Sequence, residues 1–320
     1  MALLTRILRY LATLQVLVGL LWYIIVHYKK RLAFQQTYYL RYFPTELLTN
    51  PKRLRTYLVL FLVFEYLFET LLGKSLPKAA KERSTLLATL TPYFDDWTDD
   101  TSLDFENLPD FLAQTPSLIQ TPADACAYLF STSSCTWDTH WKAVADAQLL
   151  SRAQKSGTLE EFELWDIMEK KGSSSVLLGW TVVTEQEGGA AMKRCSHSLG
   201  MFAQLLNDLF DVWKDREDGI ATVVTNLIEI DQLGPVYDRV FEVLIDQIAD
   251  VKTRGWAKQK TIGFLVIGYA LGRVALRQLV QLQQRNKGRF EVYRFDRSEL
   301  VCDMALWRNR LAFAWEVLRY

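Results

Sequence analysis

Apolar residues return at every third and fourth position through 3–30, 53–73, 82–98, 137–155, 159–170, 174–186, 190–216, 235–252, 258–285 and 298–318. That spacing lays one apolar face along an α-helix. Breakers fall between the segments: Pro44 and Pro51, Gly73 and Pro77, Pro109 to Pro122, Gly157, Gly172, Gly188-Gly189, Gly219, Gly234-Pro235 and the charged run from Arg285 to Arg297. Alternating strand patterns with hairpin turns are scarce, and neither an internal repeat nor a low-complexity tract interrupts the pattern. The expected fold is an all-α bundle. With 320 residues, half of them apolar, and no stretch of linker composition, the chain reads as one domain over 1–320.

Charge and cysteine usage narrow the function classes. The chain carries 37 basic and 37 acidic residues, so no net field favours nucleic acid as a partner. Cys126, Cys135, Cys195 and Cys302 form no C-x-x-C pair, and His27, His140 and His197 add no metal-ligand spacing. A reducing, cytoplasmic setting without a zinc site follows. The N-terminus is different: no formal charge occurs from Tyr10 to Tyr28, and Arg6 and Arg9 on one side and Lys29, Lys30 and Arg31 on the other frame the run. Its length and the lack of a small-residue cleavage site argue against a signal peptide. Residues 1–31 read first as a buried or interfacial apolar helix and second as a single spanning anchor, so membrane association through this helix stays open. Glu65 and Glu69, one turn apart in the apolar run from Tyr57 to Gly73, are costly against lipid and fit a buried or cavity-lining helix.

Two acidic clusters stand inside apolar sequence. In Asp95-Asp96-Trp97-Thr98-Asp99-Asp100, Asp95 stacks on Asp99 and Asp96 on Asp100, one helical turn apart. Like charges at that spacing repel unless a cation lies between them. In the second, Gln204, Asn207, Asp208, Asp211 and Asp215 share one helix face while Leu205, Leu206, Leu209, Phe210, Val212 and Trp213 take the others. A solvated acidic face explains either cluster alone. The pair, each preceded by an apolar helical run, fits oxygen ligands for Mg2+, which uses a few carboxylates together with substrate phosphate oxygens. Between the clusters, Lys170-Lys171-Gly172-Ser173-Ser174-Ser175 reads as a Gly-Ser entry to a new helix, offering backbone N–H groups, hydroxyls and the positive dipole end to an anion. An ordinary serine N-cap is the alternative.

Asp95-Asp96-x-x-Asp99 resembles the first aspartate-rich motif of trans-isoprenyl diphosphate synthases and class I terpene synthases, and Gln204-x-x-Asn207-Asp208-x-x-Asp211-x-x-x-Asp215 is similar to their second. The Asn207, Asp211, Asp215 spacing also resembles the metal triad of terpene cyclases and the corresponding pattern of squalene and phytoene synthases. Lys171-Gly172-Ser173 looks like the short lysine motif of the prenyl synthases. The resemblance covers about Glu82 to Thr222. It implies an all-α isoprenoid-synthase bundle with a central apolar cavity and three Mg2+ ions. On it, Asp95, Asp96, Asp99, Asn207, Asp211 and Asp215 are catalytic, Asp100 and Asp208 join them as metal ligands, and Lys171, Ser173 and Lys214 contact the diphosphate. The implied partner is a prenyl diphosphate substrate, and a homodimer stays open.

Departures from the family patterns shape the expected reaction. Asp100 is followed by TSLDFENLPDF without the Arg-Arg of chain-elongating synthases, and Lys52, Arg53 and Arg55 lack the early glycine motif that holds a second diphosphate. The arginine that cyclases place before the triad as a diphosphate sensor is not evident; Arg152 and Lys155 are candidates by position only. Asp96-x-x-Asp99-Asp100 also fits the spacing of the squalene synthase D-x-x-E-D. The expectation is therefore a magnesium-dependent terpene synthase that ionises a prenyl diphosphate, with a head-to-head or chain-elongating prenyltransferase as the alternative. The second cluster also resembles the membrane prenyltransferases of aromatic substrates, but 82–98, 137–170 and 235–252 are too charged to cross hydrocarbon. A non-catalytic helical lipid-binding protein is the reading from a different class. Phe64, Phe68, Phe94, Trp97, Trp180, Phe202 and Phe210 are candidates to line a carbocation pocket or, more simply, to pack the core. Gly188-Gly189 reads as a helix break or plain turn, and Arg285, Lys287, Arg289, Tyr293 and Arg294 as a lid or a solvated loop.

Overall fold

The computed structural model describes residues 2–42, 51–99, 138–155, 159–186 and 188–320, and among them every regular element is helical. In chain order these are α1 (Ala2–Tyr42), α2 (Pro51–Leu72), α3 (Lys78–Asp99), α4 (Asp138–Ser151), α5 (Glu161–Thr184), α6 (Ala190–Glu217), α7 (Val223–Asn226), α8 (Leu233–Asp250), α9 (Gly255–Arg285), α10 (Arg297–Leu300) and α11 (Trp307–Arg319), with 3-10 turns at Arg152–Lys155, Ile230–Gln232 and Val292–Arg294. The chain divides into two compact units, one of residues 1–17, 150–176 and 189–320, the other of 18–149 and 177–188.

In the second unit α2 packs along α3, the two joined by a turn in which Gly73 takes a positive φ of 65°. Leu58, Leu62, Phe68, Leu87 and Phe94 are buried there, with Phe68 edge-on to Trp180 and Phe94 against Trp141. Glu65, only 1 % exposed, is tolerated because Arg31 lies 3.4 Å away and the Tyr23 hydroxyl donates to it at 3.0 Å. Burial pushes its carboxyl pKa up, and the Arg31 charge opposes that. Glu69 pairs with Lys81 at 2.8 Å and accepts the Leu76 amide, which ties α2 to the turn. The expectation of buried rather than lipid-facing glutamates holds at Glu65.

In the first unit α6 packs on α8 and α9, and α11 on α9. An aromatic cluster fills the centre: Phe241 stacks on Tyr269 with centroids 4.4 Å apart, and Phe202 lies 5.4 Å from Phe241. Glycines on α9 make room for these rings. A Cβ at Gly272 would meet the Tyr237 hydroxyl at 2.1 Å, and one at Gly268 would meet Phe202 at 3.2 Å.

Two local expectations are corrected. No helix begins at 172–175: α5 runs unbroken from Glu161 to Thr184. Gly172 is there for contact, since a Cβ on it would lie 2.1 Å from the Gly200 carbonyl oxygen of α6, and one on Gly200 would lie 2.3 Å from the Gly172 carbonyl group. The two helices cross backbone to backbone where both residues lack side chains. The single helix expected over 298–318 is two, α10 and α11, separated where the Ala305 amide donates to the Asp303 side chain and Asn309 Nδ2 to the Asp303 carbonyl. Those local bonds offer the backbone an alternative to helix.

Among the described residues two helical stretches, Tyr10–Thr37 and Gly255–Arg285, are long and apolar enough to cross a membrane, with 22% and 50% of the apolar window buried. Along α1, Leu11, Leu14, Val18, Leu21, Trp22 and Ile25 form an exposed apolar stripe at helical spacing.

Candidate functional site

The second acidic cluster sits within α6, one continuous helix from Ala190 to Glu217. At ~100° per residue, Gln204, Asn207, Asp208, Asp211 and Asp215 fall within roughly a quarter to a third of its circumference. The stripe is graded in depth. Asn207 is exposed and Asp211 half-buried, while Asp208 and Asp215 are 4 % and 7 % exposed. Gln204 Nε2 donates to Asp208 at 2.8 Å and Asn207 Nδ2 to Asp211 at 3.3 Å, so each amide steadies a carboxylate one turn on.

The electrostatics of the stripe are strained. Burial is the main cause that lifts the Asp208 carboxyl to about 6, against the Gln204 hydrogen bond and the Lys171 charge. Burial again, then repulsion from Asp208 and Asp211, lifts Asp215 to about 7. Lys171 on α5 and Lys214 on α6 supply the opposing positive charge at Asp215. Buried carboxyls of this kind hold their protons more tightly than free ones, and a cation bound to them would favour the ionised form. Their hard oxygens suit Mg2+. Among the described residues no three His, Cys, Asp or Glu side chains converge to cage an ion alone. Mg2+ on this face would need waters and substrate phosphate oxygens to complete its shell. The Asn207 amide oxygen would be one further oxygen donor on this face.

The anion seat expected at 172–175 is not a helix entry. Ser173 and Ser174 turn their hydroxyls onto the Lys170 and Lys171 carbonyls at 3.5 and 3.4 Å, and their amides lie inside α5. What remains of that expectation is Lys171, which the Gly172–Gly200 crossing holds against α6 on the turn that precedes the stripe. The far end of α6 is fastened too. Gly219 closes it with φ 65°, Ile220 N donates to the Asp215 carbonyl at 2.7 Å, and Ala221 is bonded in both directions to Gln154. The Arg152–Lys155 turn, which carries both positional candidates for a diphosphate contact, is thereby tied to the loop after Asp215. Sequence spacing did not reveal that link. Arg216 stacks 3.8 Å over Trp213 and donates to the Val292 and Phe295 carbonyls, which anchors the 292–295 segment. Arg285, Arg289 and Arg294 pair with Glu299, Glu291 and Glu291, leaving Tyr293 78% exposed. Clefts of about 720 and 450 Å³ in this unit are lined by neither the stripe nor Lys171.

The first cluster ends α3. Asp95 is half-buried and accepts a short hydrogen bond from the Tyr57 hydroxyl, with Arg53 Nη2 at 3.4 Å and Gln148 Nε2 at 3.3 Å. Burial and the Asp95 charge raise the Tyr57 pKa. Arg53 was named from sequence only as an early basic residue without the glycine motif, and Tyr57 not as a site residue; their i, i+4 spacing on α2 is visible there, but not that it faces Asp95. Asp100 and the side chains of Asp96, Trp97 and Asp99 lie outside the described residues. Phe68, Phe94, Trp180 and Phe202 are buried in aromatic contacts, which is the packing reading of each. Compared with known proteins, the chain matches no family model, no curated protein and no solved structure.

Proposed function

We propose that the chain is a magnesium-dependent class I terpene synthase that ionises a prenyl diphosphate. The observation that carries this reading is the graded stripe on α6: Asn207, Asp211 and Asp215 at four-residue spacing, with buried Asp208 and Asp215 held short of easy ionisation and Lys171 beside them. A merely solvated acidic face does not bury its carboxylates. The isoprenoid-synthase form of the all-α fold belongs to the same proposal.

Asn207, Asp211 and Asp215, with Asp208 behind them, would hold Mg2+, which supplies Lewis-acid neutralisation of diphosphate charge. Lys171 and Lys214 provide ammonium donors for the diphosphate oxygens. The allylic C–O bond breaks and its electron pair leaves with the diphosphate; the cation, cyclised or not, is then quenched by losing a proton to the released diphosphate or by capturing water, which gives up a proton in turn. Arg53 and Tyr57 fix Asp95 so that one carboxylate oxygen keeps a defined direction.

Purified chain incubated with Mg2+ and a series of prenyl diphosphates of increasing length tests this. Products with the carbon number of their substrate support a terpene synthase. A product that sums two substrates points instead to a condensing prenyltransferase, and no pyrophosphate release from any member of the series rejects both.

A further inference from the structure

Helix α11, WRNRLAFAWEVLR, carries a second feature, unrelated to the acidic stripe. Its one acidic residue, Glu316, is buried and paired with Arg277, while Trp307, Leu311 and Trp315 are exposed by 69%, 55% and 56%. These three recur every fourth residue, so they lie in one row along the helix. Arg308 and Arg319 fall on one flank of that row and Arg310 on the other, all three exposed; Arg319 also lies 3.9 Å from Glu316, and Arg310 Nε donates to the Met304 carbonyl, which leaves its terminal nitrogens to face outward. The opposite face is fixed to the unit: Val317 is buried, and Asn309 reaches back to the Asp303 carbonyl. The helix is therefore rigidly mounted with an apolar ridge outward and a cationic border around it.

We infer that α11 docks the protein onto an anionic phospholipid surface. Charge complementarity selects this occupant. A ridge of two indoles and a leucine with only arginines at its border, and no exposed carboxylate on the helix, fits the interface where indole rings sit at headgroup depth and guanidinium groups meet lipid phosphates. A second copy of this chain would place the same arginines against each other across a two-fold contact. Arg308 also borders a cleft of about 720 Å³ lined by α9, α10 and α11, whose one carboxylate, Glu299, is paired with Arg285 and which Gln281 and Gln284 also line. That puts headgroup-sized polar space next to the ridge. The docking surface is separate from the apolar stripe of α1, and it stands whether or not α6 is a diphosphate site.

Co-sedimentation of the full chain with vesicles of phosphatidylcholine alone, and of phosphatidylcholine with phosphatidylglycerol, tests this. The unmodified chain should bind the anionic vesicles more tightly, with added salt weakening the binding. Trp307→Gln/Trp315→Gln and Arg308→Gln/Arg310→Gln/Arg319→Gln should each cut it roughly tenfold or more. Because all the changed side chains are exposed, circular dichroism should show unchanged helicity, and the arginine variant stands as the independent check if the tryptophan variant loses fold. Equal binding by the unmodified chain and both variants assigns membrane contact elsewhere and overturns the proposal. So does absence of binding to anionic vesicles, or a dimer in solution that only the tryptophan variant abolishes.

Discussion

Asp215→Asn removes a charge that the folded chain resists forming while keeping side-chain size and hydrogen-bonding capacity. Asp215 rises from 3.8 to about 7 on folding, because burial disfavours the carboxylate and Asp208 and Asp211 repel it. A raised folded pKa means that the folded state binds this proton more tightly than the unfolded state. Its contribution is favourable below the unfolded value and is lost progressively as pH climbs from about 4 towards 7. At ~1.4 kcal/mol per tenfold change in proton affinity, the ceiling is ~4 kcal/mol; coupling to Asp208 and Asp211 leaves roughly 2–4 kcal/mol. Urea unfolding followed by circular dichroism, with chelator present, should therefore find Asp215→Asn about as stable as the parent near pH 4. The variant should be more stable by that amount at pH 8. Adding Mg2+ and inorganic pyrophosphate at pH 8 should stabilise the parent and leave the variant unchanged. A variant that is destabilised equally at both pH values would refute the reasoning, because the carboxylate would then be a satisfied structural group.

The crossing of α5 and α6 gives a paired test. Gly200→Ala sets a Cβ 2.3 Å from the Gly172 backbone and should cost several kcal/mol in thermal unfolding. Gly179→Ala, whose Cβ meets nothing within 4 Å, should stabilise α5 by about 0.5–1 kcal/mol. Arg31→Leu strands the buried Glu65 carboxylate and should destabilise the chain by roughly 3–5 kcal/mol at pH 7, less at acidic pH where Glu65 is protonated, as read in urea unfolding. Tyr57→Phe removes the hydrogen bond to the half-buried Asp95 and should lower stability by ~1 kcal/mol in urea unfolding, whereas an unchanged midpoint would mean that the bond contributes nothing to the packing of α2 on α3.

The helices with long, uninterrupted apolar periods were legible from sequence, as was the shared face of Asn207, Asp211 and Asp215, because both depend on spacing along one helix. Gly172 was misread because a glycine inside an apolar period signals either a break or a close helix contact, and only its partner Gly200 decides between them. The Asp303 side-chain turn that splits 298–318 was hidden for a similar reason: an aspartate competes with helix only when local geometry lets it reach an amide. Around Asp95, the cluster itself was visible but Arg53, Tyr57 and Gln148 were not, since they come from α2 and α4. Burial depth within the α6 stripe could not be read from periodicity either, and it is this depth that separates a strained carboxylate set from a solvated one.

The central claim is that the α6 stripe uses Mg2+ to take diphosphate from a prenyl chain. Its most direct test is Mg2+-dependent pyrophosphate release from prenyl diphosphates by the parent chain, compared with Asn207→Ala and Asp211→Ala, which alter the more accessible side chains of the stripe. The parent should release pyrophosphate in a reaction that chelator abolishes, and each variant should lose about a hundredfold or more. Release that persists undiminished in both folded variants, or a parent chain that releases none, would contradict it.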